Sequence, residues 1–375
     1  MIRRCTPWLA GSVVIAAMAG TSANATGQVE CIGHHTVVLP GAFEYSLAPS
    51  NRLGDDRFAG GLAPRDTHVD VRFDHGPVRP ISVSREATEA DLQSLFEEAN
   101  AGPQAKKNEF LAWIKQQDED PTHAVDPTGE DRKLFVQRAE QVQFYQRVPA
   151  RKAFVWPGND RPNVYVLLNG HILSGRSAAD IPPQARVDNF AGHFKARGAL
   201  EVPAGNDTCI PSFTIAGDDS LDSVGLNMRL VDRPDIVVYF EEDEAASDAQ
   251  DPKRFIVEAT QPGRTFVDSV EARPLDRLKA THKITIAGRD GLGAFAEVKR
   301  EGTSANTGNH DLDWAFVGYV PGRTGLRPGQ SQNIVLKVER FGRFARQPMS
   351  EAEFRTLVKD LTDGIRRHDG SPAHE

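Results

Sequence analysis

Serine, histidine, cysteine and carboxylate side chains are where chemistry would begin in this chain. Ser177, Ser304 and Ser331 each stand two residues after a glycine. That is the start of the G-x-S-x-G elbow, which presents a serine nucleophile on a tight strand–turn–helix and needs glycine on both sides. None of the three has the closing glycine. His34 and His35 are adjacent. Strand neighbours point to opposite faces, so the pair is expected at the surface and not on one ion. The sequence holds no H-E-x-x-H, no C-x-x-C and no histidine pair at i, i+4, the spacings that present zinc ligands together. Asp311 and Asp313 put two carboxylates on one strand face, but the glycine and the downstream glutamate of a calcium loop are missing. They are expected to form a turn into a strand over 312–319. Gly288 to Gly293 joins two β-type segments, whereas a phosphate loop opens a helix. It is expected to be a hairpin turn with Asp290 and Gly291 at the positive-φ positions. No catalytic residue, cofactor or metal is expected.

The elements that would position such groups are mostly strands. Val69, Val71 and Phe73 alternate with Asp70, Arg72 and Asp74. Leu226, Met228 and Leu230 do the same, as do Ile236, Val238 and Phe240, Ile284 and Ile286, and Ile334, Leu336 and Val338. Period-two patterns with a polar face indicate antiparallel sheet. Three helices are expected between Thr88 and Gln146. The first carries Leu92, Leu95, Phe96 and Ala99 and ends at Gly102-Pro103; the second carries Phe110, Trp113 and Ile114; the third carries Phe135, Ala139 and Val142. Ser350 to Glu353 reads as a capping box, followed by Phe354, Leu357, Val358, Leu361 and Ile365 at helical spacing. Arg366, Arg367 and His368 would then meet the negative end of the helix dipole. The class is α+β: two lobes, each a mainly antiparallel β-sheet with helices packed on one face. The expected division is 1–25, 26–216 and 217–375, with the second boundary at the Gly217-Asp218-Asp219-Ser220 turn.

Residues 1–25 read as a cleavable export signal. Arg3 and Arg4 precede an uncharged run from Leu9 to Gly20, and Ala23-Asn24-Ala25 is a small-x-small cleavage site. That run is short of the roughly 20 residues that span a bilayer, so a soluble periplasmic protein is expected. The chain has 44 Lys and Arg against 52 Asp and Glu, a net charge of −8. Loss of Arg3 and Arg4 takes it to about −10, which disfavours nucleic acid and anionic membrane as partners and suits a basic protein. Cys31 and Cys209 would remain. In an oxidising compartment they are expected to bond, with two buried free thiols as the alternative. Residues 118–131 and 241–251 are acidic and read as surface loops. Charge alone nominates Glu241, Glu242, Asp243 and Glu244 as a partner contact.

Cys31-Ile32-Gly33-His34-His35, with the strand to Leu39-Pro40, resembles the mature N-terminus of the two-domain immunity proteins that guard against type VI secretion lipase effectors. Those proteins open with a Cys-x-Gly-Arg-like motif, and His34 stands in place of the arginine. Thr208-Cys209-Ile210-Pro211-Ser212-Phe213-Thr214-Ile215 is similar to the family's Phe-Cys-Ile segment, with Thr208 where an aromatic is common. His282 to Ala287, Gly291 to Glu297, Trp314, Pro328, the Ile334–Val338 strand and the capped helix follow the order of the family's C-terminal domain. The resemblance implies a non-enzymatic inhibitor. It would bind a secreted lipase in the periplasm, gripping it between two lobes and blocking the opening of its lid. The alternatives are a periplasmic binding protein for another ligand and an enzyme with an unrecognised site.

Overall fold

The computed structural model describes residues 27–45, 66–73, 79–119, 129–158, 164–175, 177, 181–203, 205, 207–215, 221–243, 251–260, 269–275, 281–300, 313–323, 332–342, 345 and 347–368. Residues 1–25, read above as an export signal, and 217–220, read as a turn, lie outside them, as do Glu244, Asp311, Ser304 and Ser331. From the N-terminus run β1 (Gln28–Ile32), β2 (His35–Leu39), β3 (Phe43–Tyr45), β4 (Asp66–Phe73), β5 (Arg79–Glu86), α1 (Glu89–Glu119), α2 (Glu130–Glu140), β6 (Gln146–Val148), β7 (Ala153–Val155), β8 (Val164–Leu168) and β9 (His171–Gly175). Next come α3 (Pro183–Ala191), β10 (Phe194–Ala196), β11 (Thr208–Ile210), β12 (Phe213–Ile215), β13 (Leu221–Leu230), β14 (Ile236–Asp243) and α4 (Pro252–Ala259). The chain continues through β15 (Ser269–Pro274), β16 (His282–Ile286), β17 (Arg289–Arg300), β18 (Asp313–Val320), β19 (Asn333–Arg340), α5 (Glu351–Gly364) and β20 (Arg366–Arg367).

The class is α+β. Fourteen strands form one antiparallel sheet, in the order β15-β17-β18-β19-β14-β13-β4-β5-β9-β8-β7-β6, with β16 on β17 and β3 on β13. Its hydrogen bonds cross between the halves of the chain where Val224 of β13 faces Val71 of β4. Among the described residues there are also two three-stranded sheets, β1-β2-β20 and β10-β12-β11.

Alternation decides which face each strand buries. In the C-terminal half, Met228, Val238, Val338, Phe316 and Phe295 stand in one cross-strand row. With Leu226, Phe240 and Leu336 they join the main core, which α5 covers with Phe354, Val358 and Leu361. Ala294, Ala315, Val317 and Val335 point the other way and pack on Ile256 and Ala259 of α4. The N-terminal half repeats this. Val155, Val166 and Leu173 meet Val187 and Phe190 of α3 in the main core. Phe154 and Ile172 meet Leu92 of α1 on the opposite face.

Three local expectations change. The first two helices are a single α1, running 31 residues through Pro103. An interior proline removes one backbone bond and costs about 3 kcal/mol. Packing on both sides holds the helix together across it. Phe96 meets Phe154 of the sheet, and Trp113 stacks on Phe135 of α2 at 4.0 Å. The β16–β17 turn is Ala287-Gly288, both at positive φ, and Asp290 and Gly291 belong to β17. The hairpin therefore closes three residues earlier than expected. Arg366 and Arg367 leave the helix end and pair with Thr36 and His35 as β20. The capping box stands as expected: Ser350 N–H donates to Glu353 at 2.6 Å, and Glu353 N–H donates to Ser350 Oγ at 3.2 Å. Among the described residues no helix is long and apolar enough to cross a membrane.

Phe354 is fully buried between Phe295 and Trp314. Phe354→Ala is expected to lower stability by about 3–5 kcal/mol in denaturant unfolding. A loss under about 1 kcal/mol would mean that α5 does not seal this core.

Candidate functional site

The most elaborated cluster of polar groups lies where four distant segments meet. β1 turns into β2 at Gly33, with φ of 59°. Gly33 N–H donates to Cys209 O at 2.9 Å, and Cys209 N–H donates to Gly33 O at 2.8 Å. Beside this bridge Cys31 and Cys209 form a disulfide with Cα atoms 5.5 Å apart. Glu242 of β14 enters from the other side. A Cβ on residue 33 would lie 1.9 Å from Glu242 Oε2, so glycine is required there by space as well as by φ. The residue after β20 closes the cluster: His368 N–H donates to His34 O at 3.0 Å, and the His34 and His368 rings stack at 6.3 Å.

One carboxylate organises these contacts. His34 N–H donates to Glu242 Oε2 at 2.8 Å and its Nδ1 lies 3.3 Å from the same oxygen. His35 Nδ1 pairs with Glu242 Oε1. Glu242 is 2% exposed, His34 2% and His35 3%. Burial alone would raise the Glu242 pKa. The charges of His35 and His34, with their hydrogen bonds, outweigh it and hold the carboxyl well below the usual range. On His368, burial acts first and the charge of His34 second, and both hold the imidazole below its ordinary value. A second brace sits alongside. Arg197 pairs with buried Glu30 and donates from Nε to Ile210 O at 3.0 Å and from Nη1 to Glu201 O at 2.8 Å.

The surface expectation for His34-His35 is therefore overturned. Gly33 and His34 form a turn, so strand alternation does not apply across the pair, and both imidazoles reach one carboxylate. The loop expectation for Glu241, Glu242 and Asp243 is also overturned, because all three belong to β14. Glu242 follows Ile236, Val238 and Phe240 on the core-facing side, and that parity was the signal that it points inward. Glu241 and Asp243 are half-buried. Asp313 opens β18 as expected and accepts Gly342 N–H at 2.6 Å, so its role is to fix a backbone corner. The 118–131 segment is helical at both ends, where α1 and α2 stop and start.

In this arrangement the histidine–glutamate cluster is buried with its donors turned on one another. Its chemistry is cross-bracing: it fastens the N-terminal hairpin and the C-terminal β20 to the central sheet. An accessible feature lies elsewhere among the described residues. A groove of about 740 Å³ runs beside α1 and α2, lined by Pro103, Lys106, Phe110, Arg138, Val142 and Trp156. Leu111 and Leu134 of the same helices are 48% and 40% exposed.

Two outcomes follow from the cluster. Glu242 holds its proton less tightly in the folded chain than in the unfolded one. Its stabilisation is thus complete above the ordinary glutamate value of 4.5 and is lost as pH falls below it. Glu242→Gln is expected to lower neutral-pH stability by about 3–5 kcal/mol, since it removes the buried carboxylate that both imidazoles share. Denaturant midpoints of that variant should also vary less than wild type below pH 4.5; an unchanged acid slope would contradict the assignment. The disulfide spans a sequence separation of 178. Cys31→Ser is expected to remove up to about 4–5 kcal/mol under oxidising conditions and nothing under reducing ones. Equal melting of both proteins in oxidising buffer would contradict a stabilising bridge.

No protein-family model matches the chain. No curated protein matches it significantly. Among solved structures it is similar to the immunity protein TplEi of the type VI secretion system (T6SS) from Pseudomonas aeruginosa. With "L" peptide bound, the TM-score is 0.48 at 13% identity over 92% of this chain and 99% of that one. For apo TplEi the TM-score is 0.46 at 12% identity over 92% and 98%. It is also similar to a chain of the Tle4–Tli4 complex, with TM-score 0.49 and 13% identity over 93% and 99%.

Proposed function

We propose that this protein is an exported immunity protein that binds a secreted lipase effector of a type VI system and neutralises it in the periplasm. One observation supports the reading above others. The N-terminal hairpin, the Cys209 segment and the C-terminal capped helix each carry the sequence resemblance to such proteins. They are remote in the chain yet share one core, through Ile32, Val37, Leu39, Ile210, Phe354 and Leu361, around one disulfide.

On this reading inhibition is steric. The lobes 26–216 and 217–375 grip the lipase and hold its lid shut, and no chemistry is performed on it. Because β13 pairs with β4 along the junction, such a clamp would be pre-set and would gain affinity by avoiding ordering costs. We place the acidic contact on Glu241, Asp243 and Glu244. Glu242 is withdrawn from it, since its carboxylate is buried against His34 and His35. The second reading, a binding protein for another ligand, draws on the aromatic and cationic lining of the groove beside α1.

Co-expression separates these. A candidate lipase effector from the same locus is exported to the periplasm of a test strain, with this protein carrying or lacking residues 1–25. The exported form is expected to restore growth and to co-purify with the lipase; the form without residues 1–25 is expected to do neither. Failure of the exported form would overturn the immunity reading. Equal protection by the signal-less form would overturn the compartment.

A further inference from the structure

The disulfide does not account for everything around it. A ring nitrogen of His368 and the sulfurs of Cys31 and Cys209 all lie within 4.8 Å of one another. His368 Nε2 is 3.1 Å from the Asp207 carbonyl oxygen. A carbonyl only accepts, so Nε2 carries the proton and Nδ1 presents a lone pair. That Nδ1 is buried and has no hydrogen-bond partner. A histidine with one ring N–H anchored on a backbone carbonyl and the other nitrogen bare is arranged as metal-binding histidines are. Its neighbours are two fully buried sulfur atoms held on separate strands.

We propose that Cys31, Cys209 and His368 form a site for a thiophilic divalent cation of the zinc class when the disulfide is reduced. The chemistry balances in two steps. A dithiol reductant gives two electrons and two protons to the S–S bond, yielding two thiols and its own disulfide. The cation then displaces both thiol protons to solvent and binds two thiolates and the neutral imidazole. Tetrahedral zinc places such ligand atoms about 3.5–3.8 Å apart, from bonds of about 2.3 Å to sulfur and 2.0 Å to nitrogen. On reduction the two sulfurs must swing apart from bonding distance to about 3.8 Å, and the imidazole nitrogen, within 4.8 Å of both, must close on them, with water in the fourth position. The metal does in the reduced chain what the disulfide does in the oxidised one: it ties β1 to β11. It also adds the C-terminal segment through His368. A chain that has not yet been oxidised would thereby keep its N-terminal hairpin in place.

The test uses residues 26–375, reduced with a phosphine under argon, stripped with chelator and desalted. Cobalt(II) is titrated as the spectroscopic probe. Thiolate-to-cobalt absorption is expected to saturate at one equivalent and to bleach with zinc. It should be absent from the oxidised protein and from Cys31→Ser, and at least tenfold weaker in affinity in His368→Ala. Zinc should raise the Tm of the reduced chain and leave that of the oxidised chain unchanged. The proposal is overturned if a chain with two titratable thiols shows no such band. It is overturned equally if His368→Ala binds as tightly as wild type, or if reduction unfolds the chain and zinc does not refold it.

Discussion

A single carboxylate held between two imidazoles is the constraint on which the arrangement of this protein turns. Glu242 sits at the end of a central strand, on the side facing the core, where an isolated charge would cost several kcal/mol. It is tolerable only because His34 and His35 both reach it. That requirement propagates outward. The two histidines can converge only if the chain turns at residue 33. The turn needs positive φ, and the approach of Glu242 leaves no room for a Cβ. The same turn brings Cys31 to Cys209, and the strand that leaves it pairs with β20. Four segments separated by most of the chain are fixed by one ionic knot and one covalent bond beside it.

Much of the frame is legible in the amino-acid order because its causes are local. Alternation in 226–230, 236–240 and 334–338 reflects strands with one core face, and the Ser350–Glu353 box reflects orphan backbone groups at a helix start. The knot is not legible in this way. Adjacent histidines look like a strand pair unless the turn before them is known, and a run of acids looks solvated unless its parity with Ile236, Val238 and Phe240 is followed to its end. Pro103 misleads for the converse reason: the local rule to stop a helix is overridden by stacking of Trp113 on Phe135 in the tertiary structure. In each case a partner more than twenty residues away decides the outcome.

The position of the knot bears on the function proposed. An inhibitor that acts by fit must keep its binding shape without the partner present. A continuous sheet across both halves, with the β1–β2 hairpin and α5 packed into its core face, resists deformation in that sense. The helical arm of α1 and α2 and the groove at its side are then carried on a fixed frame.

The most direct test of this frame is a double-mutant cycle in the oxidised protein, pairing Glu242→Gln with His35→Gln and read by denaturant unfolding at neutral pH. If the carboxylate and the imidazole stabilise the fold through each other, the two losses will not add, and the interaction energy should exceed about 1 kcal/mol. Additivity within about 0.3–0.5 kcal/mol would mean that the two residues act independently and that the knot does not hold the structure together.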